Sequence, residues 1–268
     1  MTSDLFTTRS ILFLPGSNPR AIAKARESGA DLVVLDLEDA VRPEDKAAAR
    51  EAALDAVSTD WPMPVAIRIN GVGSQWHSAD LEAVASSSCD YVVLPRAASV
   101  QDVRQVRDAL GKPVLAMIET AAGVLEACAI TNAALALIAG TNDLRTDLRL
   151  PLDATRDPIS VSLQLIILAA RAAGIPAFDG VYNRLSDLDG FIAECMHGRS
   201  LGFDGKSLIH PDQIGPCNEA FGPSEEEIES ARQLVDAFGG GAERFKDRMI
   251  ERMHVEAARR VLERAGES

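Results

Sequence analysis

The sequence predicts an α/β fold: a closed (β/α)8 TIM barrel over residues 1–222, followed by an additional C-terminal helical segment over residues 223–268. Three observations carry this. Short β-branched runs alternate with Ala-rich stretches of helical spacing, which calls for parallel strands joined by helical crossovers. Eight such repeats of about 25–30 residues fill Ser10 to about Phe221, which suits a closed barrel better than an open doubly wound sheet. The runs are nearly continuously apolar, as strands covered on both faces must be. No G-x-G-x-x-G turn follows the first run, which argues against an open dinucleotide-binding sheet.

The first run is Ser10–Leu14, ending at Pro15-Gly16. Asn18-Pro19 then offers a cap followed by proline at the first helical position, and the helix stops at Gly29. Run two is Leu32–Leu37, with its helix starting near Pro43. Run three, Val65–Asn70, leads to a short helix around Ala79–Ala85. Run four is Tyr91–Leu94; Ser99 and Asp102 form a capping-box pattern for the next helix and Gly111 closes it. Run five, Val114–Ile118, precedes the helix Ala121–Ile130. Run six is Leu135–Ala139, and a longer connection with Pro151 and Pro158 reaches the helix Val161–Ala173, ended by Gly174. Run seven is Pro176–Val181, with Leu188–His197 after it, and run eight lies around Phe203–Ile209. Two helices follow, near Ser224–Phe238 and Asp247–Arg264, with Gly239-Gly240-Gly241 as a linker that separates the barrel from the last helix.

Composition narrows the class. Hydrophobic residues are 47% of the 268 but aromatics only 4%, so the core must be built from Ala, Val, Leu and Ile. Lys+Arg 27 against Asp+Glu 40 gives a net charge of −13, the wrong sign for general binding to nucleic acid or an anionic membrane. Cys89, Cys128, Cys195 and Cys217 form no C-x-x-C pair, so they read as reduced, mostly buried thiols rather than a zinc or redox site. A basic n-region with an apolar stretch is absent at the N-terminus, and the apolar runs fall far short of the ~20 residues that span a bilayer. A cytoplasmic protein is expected.

In such a barrel, functional side chains sit at the carboxyl ends of the strands. Read in order, those ends supply Arg20 after run one, then Asp36, Glu38 and Asp39, then Arg68 and Asn70. Pro95-Arg96, Glu119, Asn142-Asp143, Asp179, and finally Lys206 and His210 complete the rim. Glu119 and Arg68 lie in or immediately after apolar runs, where an unpaired charge is costly. Glu119 and Asp143 end neighbouring strands, so their carboxylates can converge and would then need a cation or a proton between them. Hard oxygen ligands in that number suit Mg2+, although each carboxylate could equally cap the next helix. Arg68 can hold a ligand carboxylate or carbonyl in bidentate fashion, or form a structural salt bridge with Glu38 or Asp39. Arg20 and Lys24, one turn apart, can bind phosphate or form a solvated face. His77 and His197 read as surface or helix residues and His210 as a turn former; no G-x-S-x-G, H-E-x-x-H or Walker pattern is present.

Several stretches together resemble the citrate lyase β-subunit-like proteins of the HpcH/HpaI aldolase superfamily. They are R-S-I-L-F-L-P-G-S-N-P-R (Arg9–Arg20), V-L-D-L-E-D-A-V with P-E-D-K (Val34–Lys46), I-R-I-N-G (Ile67–Gly71) and V-V-L-P (Val92–Pro95). M-I-E-T-A-A-G-V (Met117–Val124), G-I-P-A-F-D-G-V-Y (Gly174–Tyr182) and L-G-F-D-G-K-S-L-I-H-P-D-Q-I (Leu201–Ile214) continue the match in order along nearly the whole chain. The resemblance implies a barrel in trimeric or hexameric homo-oligomers, Mg2+ on Glu119 and Asp143, a substrate-binding and catalytic arginine at Arg68, and coenzyme A phosphates near Arg20 and Lys24. It implies cleavage or formation of a carbon–carbon bond in a short 3-hydroxy-dicarboxylic acyl-CoA such as malyl-, citramalyl- or citryl-CoA, giving an acyl-CoA and a 2-oxo acid, with thioester hydrolysis in some relatives. In several relatives a neighbouring subunit supplies a catalytic aspartate from a stretch like M-I-D, which here is Met249-Ile250-Glu251. Many relatives have lysine where this chain has Arg96, and E-D where it has Asn142-Asp143. The competing expectations are a CoA-independent class II pyruvate aldolase and a lyase-like subunit that binds metabolites without turnover.

Overall fold

The computed structural model describes residues 5–245 and 247–267. The chain divides into two compact units, Met1–Cys217 and Asn218–Ser268. The first is built of alternating strands and helices: β1 (Ser10–Pro15), α1 (Pro19–Ala25), β2 (Leu32–Asp36), α2 (Lys46–Val57), β3 (Val65–Arg68) and α3 (His77–Ala85). They are followed by β4 (Tyr91–Leu94), α4 (Val100–Leu110), β5 (Val114–Ile118), α5 (Ala121–Ile130), β6 (Ala136–Ala139) and α6 (Thr141–Asp147). The unit continues with α7 (Ser160–Ala173), β7 (Ala177–Asp179), α8 (Leu188–Leu201) and β8 (Gly205–Leu208), and α9 (Ile214–Phe221) runs across the division in the chain. The eight strands pair in parallel in sequence order, and β8 returns to β1 with Ile11 opposite Ser207, closing the barrel.

Local chemistry sets the element ends. Asn18 Oδ1 accepts from the Ala21 amide at 3.1 Å, with Pro19 opening α1. Ser99 Oγ accepts from the Asp102 amide, and Gly111 (φ 62°) ends α4 in the left-handed conformation that glycine adopts without a Cβ penalty. Side chains alternate across a strand with period two, so one parity fills the interior. Ile11 and Phe13, Leu32 and Val34, Tyr91 and Val93, Leu115 and Met117, Ala136 and Ile138, together with Ala66 and Phe178, form that inner cluster. Three cysteines are buried; Cys128 is exposed, and all four are free.

Two expectations need correction. The connection after β6 contains α6, a helix of seven residues that buries only Thr141 and Leu144 and is too short to show a helical period. The last helix does not begin near Asp247. In the second unit α10 (Glu225–Ala237) is followed by a short antiparallel hairpin of β9 (Glu243–Phe245) and β10 (Arg248–Ile250), and α11 (Arg252–Arg264) starts only then. Three-residue strands are too short to show alternation. The Gly239–Gly241 stretch therefore joins α10 to this hairpin within the second unit. Among the described residues no helix is long and apolar enough to cross a membrane.

Candidate active site at the barrel mouth

The inward parity that places Val34, Ala66 and Met117 in the interior carries on to Asp36, Arg68 and Glu119 at the carboxyl ends of β2, β3 and β5. Asp36 and Arg68 are register partners, and the guanidinium meets the carboxylate in bidentate fashion: Nε donates to Oδ1 and Nη2 to Oδ2, both at 2.6 Å. Arg68 Nη1 also lies 3.0 Å from Glu38 Oε2 and 3.8 Å from Met117 Sδ, and the group stacks 5.4 Å from the Phe13 ring centroid. Burial works against the charge on Arg68, but Asp36, then Glu38 and Glu119, outweigh it and hold the guanidinium above its ordinary range. Asp36 is held in turn by the amides of Glu38 and Ala40 at 2.8 and 2.9 Å.

Glu119 is 4% exposed. Burial and, next, the charge on Glu38 push its carboxyl up to about 8; the Arg96 amide opposes this and Asp143 adds to it. Glu119 Oε1 accepts from the Arg96 N–H at 2.6 Å. A Cβ at Gly140 would collide with the same carboxylate, so glycine there makes room for it. Asp143 does not end a strand as its position suggests; it sits in the first turn of α6, with Oδ2 3.2 Å from Arg96 Nη1. Burial also raises the Glu38 carboxyl, against the pull of Arg68. A cavity of about 290 Å3 is lined by Arg68, Glu119, Asp143, Met117 and Ser207, among others. A wider depression of about 630 Å3, bordered by Lys112, Pro113 and Val114, lies where β5 begins, at the opposite ends of the strands from this chemistry.

The model of the HpcH/HpaI aldolase/citrate lyase family matches residues 9–211. The chain belongs to this family. A (3S)-malyl-CoA thioesterase of Cereibacter sphaeroides is 40% identical over 96% of this chain and 94% of that protein. The citrate lyase subunit beta of Escherichia coli K12 is 33% identical over 97% and 93%. Among solved structures, protein CitE of Mycobacterium tuberculosis in complex with magnesium, acetoacetate and coenzyme A superposes with a TM-score of 0.87, at 34% identity and coverage of 97% and 98%.

Magnesium is the group this family implies, and the residues present fit it. Glu119 and Asp143 line one cavity, and the charge on Asp143 adds to the cost of ionising Glu119, which a divalent cation relieves. Among the described residues no group of three or more His, Cys, Asp or Glu is placed to hold a metal. Mg2+ is commonly bound through one or two carboxylates with water and ligand oxygens, and Glu119 and Asp143 would supply that number.

The other rim residues separate. Arg20 and Lys24 are exposed on α1 and do not line the cavity. Glu251 stands at the head of α11 in the second unit, where its amide donates to His254 Nδ1 at 3.0 Å. Asp179 and Lys206 take the outward parity on β7 and β8 and pair behind the sheet at 2.9 Å, so they do not join the mouth. Asn70 turns away toward Lys46 and Asp80. His77 is buried against the Asn70 carbonyl, and His210 Nδ1 caps its turn by accepting from the Asp212 amide. Sequence reasoning gave Asp36 no task beyond ending a strand and placed Arg96 on the rim without a role. The available signal for Asp36 was its register beside Arg68; for Arg96 the sequence offered none.

Proposed function

We propose that this chain cleaves or forms a carbon–carbon bond in a short 3-hydroxy-dicarboxylic acyl-CoA thioester, such as malyl-, citramalyl- or citryl-CoA, giving an acyl-CoA and a 2-oxo acid. The observation that carries it is the convergence of Glu119, Asp143 and Arg68 on one cavity at the catalytic end of a barrel of this family. Glu119 and Asp143 would hold Mg2+, which when bound supplies Lewis-acid polarisation of ligand oxygens. Arg68 has five N–H donors. Asp36 and Glu38 take three and the Met117 sulfur a weak fourth, leaving one free and one readily released for the ligand, so the guanidinium is fixed in place yet still able to stabilise charge on a developing thioester enolate. The ion pair with Asp36 is the preorganisation this requires.

In this reading the barrel of residues 1–222 is the catalytic domain and residues 223–268 an extension, in a cytoplasmic homotrimer or hexamer. Arg20 and Lys24 hold the coenzyme A phosphates. Glu251 from a second copy moves the proton; its extra methylene relative to aspartate displaces the carboxylate by about 1 Å. The purified protein, incubated with the three thioesters and Mg2+, should release 2-oxo acid and acyl-CoA from at least one, and EDTA should stop it. Consumption of none of them overturns the proposal. A hydrolytic outcome is the second reading, favoured by the 40% identity to a malyl-CoA thioesterase against 33% to a citrate lyase subunit. It is recognised by free coenzyme A appearing without 2-oxo acid.

A further inference from the structure

Arg96 follows β4, and its backbone is left-handed, φ 51°. A non-glycine residue keeps that conformation only where its surroundings over-determine it, and such positions cluster at functional sites. The turn has a definite result. The Arg96 amide donates to Glu119 Oε1 at 2.6 Å, while its guanidinium Nη1 lies 3.2 Å from Asp143 Oδ2. The next amide, of Ala97, is tied to the Met117 carbonyl at 3.1 Å, which fixes the turn against β5. One residue thus reaches both carboxylates, Glu119 through its backbone and Asp143 through its side chain. The two contacts differ in permanence. The amide is held by the fold, whereas the Arg96 side chain is 53% exposed and the Asp143 side chain 31%, so the guanidinium can leave.

We propose that Arg96 is the exchangeable counter-cation of the metal-free site: its guanidinium holds Asp143 until a divalent ion displaces it, and so sets the affinity for that ion, while its amide keeps Glu119 aimed. The inference rests on the metal reading of Glu119 and Asp143 given above. A guanidinium carries donors only and is always charged, so it and a metal ion cannot share the same Asp143 oxygen, and they repel across the site. Competition of this kind weakens the apparent metal affinity by the stability of the ion pair it must break. For a half-exposed pair that is a factor of about three to five. No other guanidinium is bonded to Asp143 among the described residues.

Glycine is the informative replacement, because it adopts φ 51° freely, keeps the N–H on Glu119 and removes only the guanidinium. Mn2+ binding to the full chain, followed by the electron paramagnetic resonance signal of the free ion, reads the affinity without turnover. Arg96→Gly should bind Mn2+ about three- to fivefold more tightly than the wild type, and Arg96→Lys should stay within about twofold of it. The gap between wild type and Arg96→Gly should close as salt rises to about 0.5 M, since an exposed pair is screened. A purely structural role has the opposite sign: loosening the turn would weaken Mn2+ binding. Unchanged or weaker binding by Arg96→Gly overturns the proposal. If Asp143→Asn abolishes binding while Arg96→Gly matches the wild type, the metal site stands and the role of Arg96 falls. If neither wild type nor Arg96→Gly binds Mn2+, both fall together.

Discussion

The barrel holds two clusters of charge on opposite sides of the same sheet. Behind β7 and β8, Lys206 and Asp179 have 0% side-chain exposure and pair at 2.9 Å; Lys206 also meets Glu194 at 2.8 Å. Arg156 closes the group, 2.6 Å from Asp179 and 3.2 Å from Glu194. Two cations face two anions. Burial opposes the charge on each member of the central pair, but the partners win: Lys206 is held above its ordinary value and Asp179 below. At the mouth the balance differs. Asp36, Glu38 and Asp143 pair with Arg68 and Arg96, Lys46 also acts on Asp36 and Glu38, and the carboxyls of Glu38 and Glu119 still rise. A group whose charges cancel needs nothing from outside. A group in which burial and like charge raise a carboxyl needs a proton or a cation from outside, and Glu119 is where that need falls.

The comparison breaks most visibly at Lys206. In Lys206→Met the buried Asp179 and the half-buried Glu194 are left to Arg156 and, for Asp179, the Gly180 amide, and we expect a loss of about 3–5 kcal/mol in unfolding free energy, read from the urea midpoint. Mn2+ affinity of the folded fraction should not change. A mild loss would mean that Arg156 and water can satisfy both acids, and the cluster would then not be the self-sufficient unit described here.

Glu119→Gln should behave in the opposite way. The amide keeps the shape and removes one of the repelling charges, so the urea midpoint should hold or rise. Turnover and Mn2+ affinity should fall by about a hundredfold or more, since even outer-shell changes at metal sites cost 10–100-fold. If the variant instead unfolds readily and binds the metal as before, the mouth is structural and the two clusters do not differ in kind.

These clusters also show what the sequence makes legible. Glu119 follows Met117 at the end of an apolar run, so a two-residue step alone assigns it to the interior and to the mouth. The same step, applied to Asp179 and Lys206, would have sent both behind the sheet, yet listing polar strand ends by position placed them on the rim. Position along a strand says which end of the barrel a residue serves; parity says which side, and both are needed. Arg96 was hidden for another reason. Its part depends on a left-handed backbone, and nothing in the run Pro95-Arg96-Ala97 announces positive φ as a glycine would. Eight strands were legible because burial on both faces writes an apolar run into each; α6 and the β9–β10 hairpin bury too little to leave one.

The pH dependence of stability sharpens the contrast. The carboxyl of Asp179 is held below its ordinary 3.8, so its contribution is present above that value and is lost as the pH falls through the folded value. Lys206 is held above 10.5, so its contribution is present below that value and is lost as the pH rises through the folded one. The contribution of the Lys206–Asp179 pair is therefore flat across the neutral range. Asp179→Asn should destabilise the protein at pH 7, and the deficit should shrink as the wild-type carboxyl itself becomes protonated below pH 3.8. Urea midpoints measured from pH 7 down to the acid limb check this; a deficit independent of pH would show that geometry, not charge, holds the pair.

The smallest effect compares adjacent residues. Lys206 and Ser207 differ by one step along β8, so one faces the helices and the other the barrel interior. Lys206 Nζ has two carboxylate partners. Ser207 is 1% exposed, and its Oγ is buried with no hydrogen-bond partner among the described residues. An unpaired buried hydroxyl costs about 1–3 kcal/mol, whereas trimming it to a methyl loses only a little packing. Ser207→Ala should therefore leave the protein unchanged or more stable by up to about 1 kcal/mol, the reverse of truncating its neighbour. The urea midpoint decides. A loss above about 1 kcal/mol would mean that an ordered water satisfies the hydroxyl. Opposite signs at two consecutive positions would show that neighbouring residues of one strand serve different ends, Lys206 the stability of the sheet and Ser207 the cavity it lines.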